Sequence, residues 1–141
     1  MSRRKAREHA FKVIFQVDQV QAEPKQAFEY LCQEQPLPDK DRQFAWELVE
    51  GTLEYMPAID ERIARYSREW SVDRMSSVDR NIMRVAGYEI LFRQEVSPVI
   101  AIDEAVELAK RFGEEQSGGF VNAILDRIQG ENHESVLRQR L

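Results

Sequence analysis

The residue types that carry out enzymatic chemistry are scattered along this chain in spacings that match no catalytic or metal site. His9 and His133 lie far apart, and neither stands in a metal-ligand pattern with cysteine or acidic residues. Cys32, the one cysteine, falls on the apolar spacing of a helix, which indicates core packing rather than a nucleophile. Gly118-Gly119 lacks the lysine and the spacing of a phosphate-binding loop. The sequence therefore predicts no enzyme activity, no metal and no cofactor.

Asp103, Glu104 and Glu107 place carboxylates at helical spacing, where two of them could act as an acid–base pair. Lys110 and Arg111 follow one helical turn later with the opposite charge. This pattern is typical of the solvent face of an amphipathic helix, so it adds no support for an enzyme.

The chemistry that the sequence does favour is contact with nucleic acid. Residues 1–12 hold five basic residues and one acidic residue, whereas the whole chain has a net charge of −5. A basic arm on an acidic body is a candidate phosphate contact, although a solvated helix start explains the charges equally well. The cations also stand at the N-terminal end of a predicted helix, where the helix dipole disfavours them. Local rules are broken most often at functional sites, and phosphates would supply the missing counter-charge.

A second candidate is the loop of residues 114–119, which joins two helical patterns near the other end of the chain. Because it leads into a helix N-terminus, the loop presents free backbone N–H groups. Phe120 follows at the start of the next apolar helix face, where core packing is its more common role.

Apolar residues at helical spacing predict an all-α chain, and six glycines and five prolines are too few for the turns of an all-β fold. The predicted helices are seven: from about Arg3 to Ala22, from Pro24 to before Pro36, from Asp39 to Tyr55, one ending near Trp70, one capped by Ser76, one capped by Ser97 and stopped by a left-handed Gly113, and one capped by Ser117 and ended by Gly130. A break near residues 74–77 divides them into two packed helical subdomains, about 1–74 and 75–141.

The helix after Ser76 is apolar over much of its circumference and is predicted to be central. Glu89 lies near its buried face and needs a buried partner. Gly51, in the middle of a helix, is predicted to allow close helix approach, and the tail after Gly130 is expected to be a loose helix or disordered.

The apolar runs are too short for a transmembrane helix, and no signal peptide is recognisable at the basic N-terminus. A single cysteine is typical of a reducing compartment. We therefore expect a cytoplasmic protein without membrane contact.

Several blocks of the sequence occur in the order and spacing of a known family. The blocks are Arg-x-x-Ala-Arg-Glu from Arg3 to Glu8, Asp79-Arg80 followed by Tyr88-Glu89, the run from Ile102 to Lys110, and the run from Phe120 to Asp126. With them the chain resembles the NusB family of bacterial transcription antitermination proteins from about Arg3 to Ile128.

The resemblance implies a seven-helix NusB-like fold and a defined function. NusB proteins bind the boxA element of ribosomal RNA leader transcripts together with NusE, a small-subunit ribosomal protein, within an antitermination complex of RNA polymerase. The implied RNA-binding residues are Arg3, Arg4, Lys5 and Arg7 in the arm, and Gln116, Ser117, Gly118, Gly119 and Phe120 in the loop. The implied NusE-facing residues are Phe15 and Asp79. Phe120 would stack on an unpaired base, which contributes on the order of 1–3 kcal/mol.

This chain departs from the family at one position of the loop. Some members carry a basic residue just before the phenylalanine, where this chain has Gly118-Gly119. The missing cation removes one phosphate contact and is expected to lower the salt dependence of binding. The amide of Gln116 can read base edges instead.

Two other functions remain compatible with the sequence. NusB-like domains also occur fused to RNA cytosine methyltransferases, so the chain could serve as the accessory RNA-binding domain of such an enzyme, although no methyl-donor-binding domain is recognisable before Leu141. It could also be a dimerising helical interaction protein, whose homodimer would cover the basic arm.

Overall fold

The computed structural model describes residues 3–68 and 70–140, with side chains as far as Glu131. Over these residues the chain is all-α, as predicted. The described residues form seven helices: α1 (Arg4–Val20), α2 (Pro24–Glu34), α3 (Asp39–Glu54), α4 (Met56–Tyr66), α5 (Ser77–Phe92), α6 (Pro98–Phe112) and α7 (Ser117–Arg140). None of the helices searched in this part of the chain has the length and apolar character that a membrane crossing requires.

Two helix starts follow from their capping residues. At α2 the side chain of Glu23 accepts a hydrogen bond from the Gln26 N–H at 2.7 Å, and Pro24 occupies the first helical position. At α5 the hydroxyl of Ser76 accepts a hydrogen bond from the Asp79 N–H at 3.3 Å, as the sequence predicted.

The predicted ends of α6 are wrong in detail. Ser97 makes no side-chain capping bond. Gly113 has φ −98° and ψ −164°, so its backbone is extended rather than left-handed. Glycine is required there by space, because a Cβ would lie 2.5 Å from the Ser117 Oγ and 2.8 Å from the Ala109 carbonyl oxygen.

The predicted ends of α4 and α7 are also wrong. Helix α4 ends at Tyr66, and the chain then turns, with the Ser67 hydroxyl donating to the Trp70 carbonyl at 2.6 Å. Gly130 does not end α7, which continues to Arg140. A glycine inside a helix costs about 1 kcal/mol but leaves every hydrogen bond in place, so neighbouring helix formers can carry the helix past it.

Helix α5 is the central element, as predicted, and most of its side chains are buried. It packs against α1, α3, α4, α6 and α7. The approach of α3 depends on Gly51, where a Cβ would lie 2.0 Å from the Cζ of Tyr88.

Cys32 is buried in the core, as its spacing indicated. The division into two subdomains stays a prediction.

Candidate nucleic-acid interface

The cationic side chains at the start of α1 and at Arg3 just before it differ in their contacts and in their exposure to solvent. Arg3 is exposed, and its guanidinium carbon lies 4.0 Å from the centroid of the Phe44 ring, a cation–π contact. Arg4 is also exposed, and it forms two hydrogen bonds to the Glu104 carboxylate, of 2.9 and 3.1 Å. Lys5 is exposed as well. Three cations at the start of α1 therefore face solvent, one of them already paired with an acid of α6.

Arg7 lies inside the protein and is only 6% exposed. Its Nε and Nη2 donate to the Glu89 carboxylate at 2.9 Å each. The predicted buried partner of Glu89 is therefore Arg7. The expectation that phosphates supply the counter-charge of this helix start needs correction, because Glu104 and Glu89 already pair with two of its arginines.

The loop before α7 is held by one side chain. Ser117 is buried, and its hydroxyl accepts a hydrogen bond from the Glu114 N–H at 2.9 Å. The predicted cap thus reaches back into the loop instead of forward into the helix. Gly118 is buried against the aliphatic part of the Lys110 side chain. A Cβ at position 118 would lie 3.4 Å from the Lys110 Cγ. The residues that reach solvent are Glu114, Glu115, Gln116 and Gly119, with Phe120 half-buried beside them.

One groove brings the arm and the loop together. It has a volume of about 620 Å³ and is lined by Arg4, by Lys110 and by Gly118, Gly119 and Asn122 of α7. Three acidic residues of α6 line it too: Asp103, Glu104 and Glu107. Lys110 lies 3.8 Å from Glu107, which agrees with a solvent face of paired charges. The two candidate sites at opposite ends of the sequence are therefore neighbours, on a surface of mixed charge.

Phe120 faces two further grooves, and Trp70 lines both of them. The first, of about 400 Å³, includes Arg68 and Arg127. The second, of about 560 Å³, includes Gln116 and Asp79. Sequence reasoning treated Trp70 only as a helix end and did not single out Arg68 or Arg127. A tryptophan outside any helical apolar pattern, within the polar run Ser67-Arg68-Glu69-Trp70-Ser71, is the signal that marks this segment.

Asp79 and Phe15, the predicted partner-facing residues, lie in different surroundings. Asp79 is 7% exposed, and burial raises the pKa of its carboxyl group. Its Oδ1 has no hydrogen-bond partner among the residues that the structure describes. Phe15 is half-buried on α1, with its ring centroid 6.0 Å from that of Phe11. Because this oxygen of Asp79 is buried, Asp79 contributes to a partner surface through its place in the groove with Gln116 and not as an open hydrogen-bond acceptor.

The described residues include no cluster of three or more histidine, cysteine, aspartate or glutamate side chains arranged to hold a metal ion.

Sequence comparison places the chain among known proteins. A profile of the NusB family matches residues 4–130. The transcription antitermination protein NusB of Syntrophomonas wolfei subsp. wolfei is 63% identical over 133 residues, which cover 94% of this chain and 99% of that protein. NusB of Pelotomaculum thermopropionicum is 48% identical over 128 residues, which cover 91% of this chain and 89% of that protein.

Structure comparison gives the same neighbours. A T. maritima NusB structure superposes with a TM-score of 0.86 at 41% identity, covering 93% of this chain and 92% of that one. A chain from a crystal structure of the antitermination factors NusB and NusE in complex with dsRNA superposes with a TM-score of 0.84 at 28% identity, covering 93% and 99%.

Proposed function

The chain belongs to the NusB family of transcription antitermination proteins, and we propose that it binds the boxA element of ribosomal RNA leader transcripts together with NusE. In this role it is an RNA-binding adaptor and not an enzyme. The observation that carries the proposal is the groove that is lined both by Arg4 of the arm and by Gly118 and Gly119 in the first turn of α7. The antitermination complex of RNA polymerase is the proposed larger assembly.

Each exposed residue of the arm and loop has a proposed part in binding. Arg3, Arg4 and Lys5 neutralise phosphates, and Arg4 exchanges Glu104 for a phosphate when RNA is present. Gln116 reads a base edge with its amide. Phe120, which is half-buried and lines the two grooves beside Trp70, stacks on an unpaired base.

Ser117, Gly118 and Arg7 are buried and have positioning roles in this proposal. Ser117 fixes the loop through the Glu114 N–H, and Gly118 is buried against Lys110 in the first turn of α7. Arg7 holds the start of α1 against α5 through Glu89. These residues set the geometry of the surface rather than contact RNA.

A protein partner is proposed to cover the start of α5 and the exposed edge of Phe15. Asp79 lines a groove with Gln116 and Phe120, so a partner that covers the start of α5 would lie beside the RNA. Binding of RNA and of NusE would then strengthen each other, because each completes a surface that the other shares.

The test is a binding titration with boxA RNA and scrambled RNA, each with and without NusE. We expect boxA to bind more tightly than scrambled RNA when NusE is present. Equal affinities in the presence of NusE would refute the proposal. Light scattering with and without RNA tests the alternative of a homodimer, which would dissociate or fail to bind RNA if it covered the arm.

Two variants distinguish the contribution of base stacking to RNA affinity from the contribution of phosphate contacts. Phe120→Ala is expected to weaken boxA binding by about tenfold with little change in the salt dependence. Lys5→Gln is expected to lower the slope of log affinity against log salt by about 0.7, the value for one phosphate of a single strand. Equal slopes in the two variants would contradict this division. Tyr30→Ala, which removes an exposed aromatic ring on α2, is the control for Phe120.

A further inference from the structure

A groove on one side of Phe120 has no role in the function proposed above. We name it the Trp70 groove; its lining side chains include Arg68, Trp70, Phe120 and Arg127, and its volume is about 400 Å³. No carboxylate lines it among the residues that the structure describes. It therefore differs in charge from the groove beside Arg4, which three acidic residues line.

Trp70 is an exposed aromatic side chain of this groove. The residue is 51% exposed, although tryptophan is usually among the more buried residues of a protein. The hydrogen bond from the Ser67 hydroxyl to the Trp70 carbonyl fixes the backbone turn that carries it. An indole ring that is open to solvent is a stacking surface for a planar group.

The arginines of the Trp70 groove differ from their neighbours on α4. Arg62 and Arg65 form ion pairs with Glu61 and Glu131. Arg68 and Arg127 form no ion pair with any side chain that the structure describes. In a chain of net charge −5, two cations that form no ion pair with a described side chain, beside an exposed indole, indicate an anionic ligand with a planar group.

We propose that the Trp70 groove extends the RNA site beyond Phe120 and binds an unpaired nucleotide next to the boxA contact. Trp70 stacks on its base, and Arg68 and Arg127 contact the flanking phosphates. This inference rests on the proposed function, because it requires that RNA reaches Phe120 first.

Two observations favour RNA over a protein as the occupant of the Trp70 groove. Phe120 lines both this groove and the one shared with Gln116, so a strand that stacks on Phe120 continues into it without leaving the surface. Aromatic rings alternating with cations are also the arrangement that binds single strands, since each base offers a ring and each linkage a charge.

The first test compares exposed aromatic rings. The ligand is single-stranded RNA that contains boxA with unpaired nucleotides at both ends, and NusE is present. Trp70→Ala is expected to raise the Kd by about tenfold, within the range measured for loss of one stacked base. Tyr30→Ala removes a ring that is 65% exposed on α2 and is expected to leave the Kd unchanged. Circular dichroism of both variants checks that they fold.

The second test compares arginines. Arg68→Gln and Arg127→Gln are each expected to lower the salt slope of binding by about 0.7. Arg65→Gln, which removes the same charge from an arginine paired with Glu61 and Glu131, is expected to leave the slope unchanged. A fall of the same size in all three variants would overturn the specific role of the groove arginines.

The third test observes the stack directly. In a Trp46→Phe variant, Trp70 is the only tryptophan, and saturating RNA is expected to quench its fluorescence. In a Trp70→Phe variant, the fluorescence of Trp46, whose ring packs 5.2 Å from that of Phe28, is expected to change little. Quenching confined to Trp46 would overturn the inference.

The outcomes separate this inference from the function on which it rests. If the wild-type chain with NusE binds boxA no better than scrambled RNA, both fail. If wild type and Phe120→Ala behave as proposed but Trp70→Ala matches Tyr30→Ala, only the inference fails. If Trp70→Ala weakens binding to NusE in the absence of RNA, the groove belongs to the protein partner and the inference is wrong.

Discussion

Arg7 and Glu89 form a bidentate ion pair inside the protein, although 82 residues separate them in sequence. Their side chains are 7% and 1% exposed. The pair joins the second turn of α1 to the last turns of α5, directly behind the exposed cations at the start of α1. The position of Arg3, Arg4 and Lys5 on the surface therefore depends on a contact that no ligand reaches.

Replacing Arg7 tests this positioning role. Arg7→Ala leaves Glu89 buried without a counter-charge, and we expect the free energy of unfolding to fall by about 3–5 kcal/mol in urea denaturation at neutral pH. The double variant Arg7→Met with Glu89→Leu is expected to recover most of that loss, because apolar groups of similar size often replace a buried ion pair without cost. Its salt slope for RNA binding is expected to equal that of wild type. A lower slope in the double variant would make Arg7 an RNA contact.

The pair also shows how far sequence reasoning reaches. Helical spacing placed Glu89 near the buried face of a central helix, and the cost of an unpaired buried charge required a partner. The identity of that partner depends on how α1 packs against α5, which local spacing does not contain. For the same reason the sequence alone groups Arg7 with the exposed cations of the arm, whereas the structure places it on the buried face of α1.

Glu104 is expected to compete with RNA for Arg4. Its carboxylate forms the 2.9 Å contact with the Arg4 Nε and lines the groove between arm and loop. Glu104→Gln removes this negative charge, and we expect boxA affinity to rise by about twofold to fivefold, the size of an exposed ion pair. Glu29→Gln makes the same change of net charge on α2, where Glu29 lies 4.0 Å from Lys25, and is the control. An equal rise in both variants would mean that net charge alone sets the affinity.

Gly119 offers a way to restore the cation that some family members carry. A Cβ at this position meets no atom within 4 Å, so a side chain can be added without displacing its surroundings. Gly119→Lys is expected to tighten boxA binding and to raise the salt slope by about 0.7, measured by titration at several salt concentrations. Gly119→Gln has a side chain of similar length without charge and is expected to leave the slope unchanged. If the two variants bind alike, no phosphate passes close to this position.

The ends of α6 and α7, which the sequence predicts less accurately than the helices themselves, both involve glycines. Gly113 and Gly130 both follow helical patterns, and the sequence predicts a helix end at each of them. Gly113 does end α6, but through the space that the Ser117 hydroxyl requires, which only the folded loop reveals. Gly130 lies within α7, because a glycine lowers helix stability without removing a hydrogen bond. The exposure of Trp70 also depends on the folded chain, because the turn after α4 sets it, and helical spacing in the sequence does not reveal that turn.

Gly51 and Gly130 form a matched pair for testing these assignments. A Cβ on Gly51 would lie 2.0 Å from the Tyr88 ring, whereas a Cβ on Gly130 meets nothing within 4 Å. Gly51→Ala is therefore expected to lower the free energy of unfolding by about 1–3 kcal/mol, the usual cost of overpacking. Because Tyr88 is the obstructing residue, Tyr88→Leu is expected to cost less stability in the Gly51→Ala background than in wild type.

Gly130→Ala is expected to act in the opposite direction. Alanine restricts the unfolded chain more than glycine and favours a helical backbone, so the free energy of unfolding should rise by about 0.5–1 kcal/mol. Urea denaturation followed by circular dichroism at 222 nm measures both glycine variants under the same conditions. The increase requires that α7 continues through Gly130, since alanine at a helix end that needs glycine would destabilise instead. Loss of stability in Gly130→Ala would therefore place the end of α7 where the sequence pattern had put it.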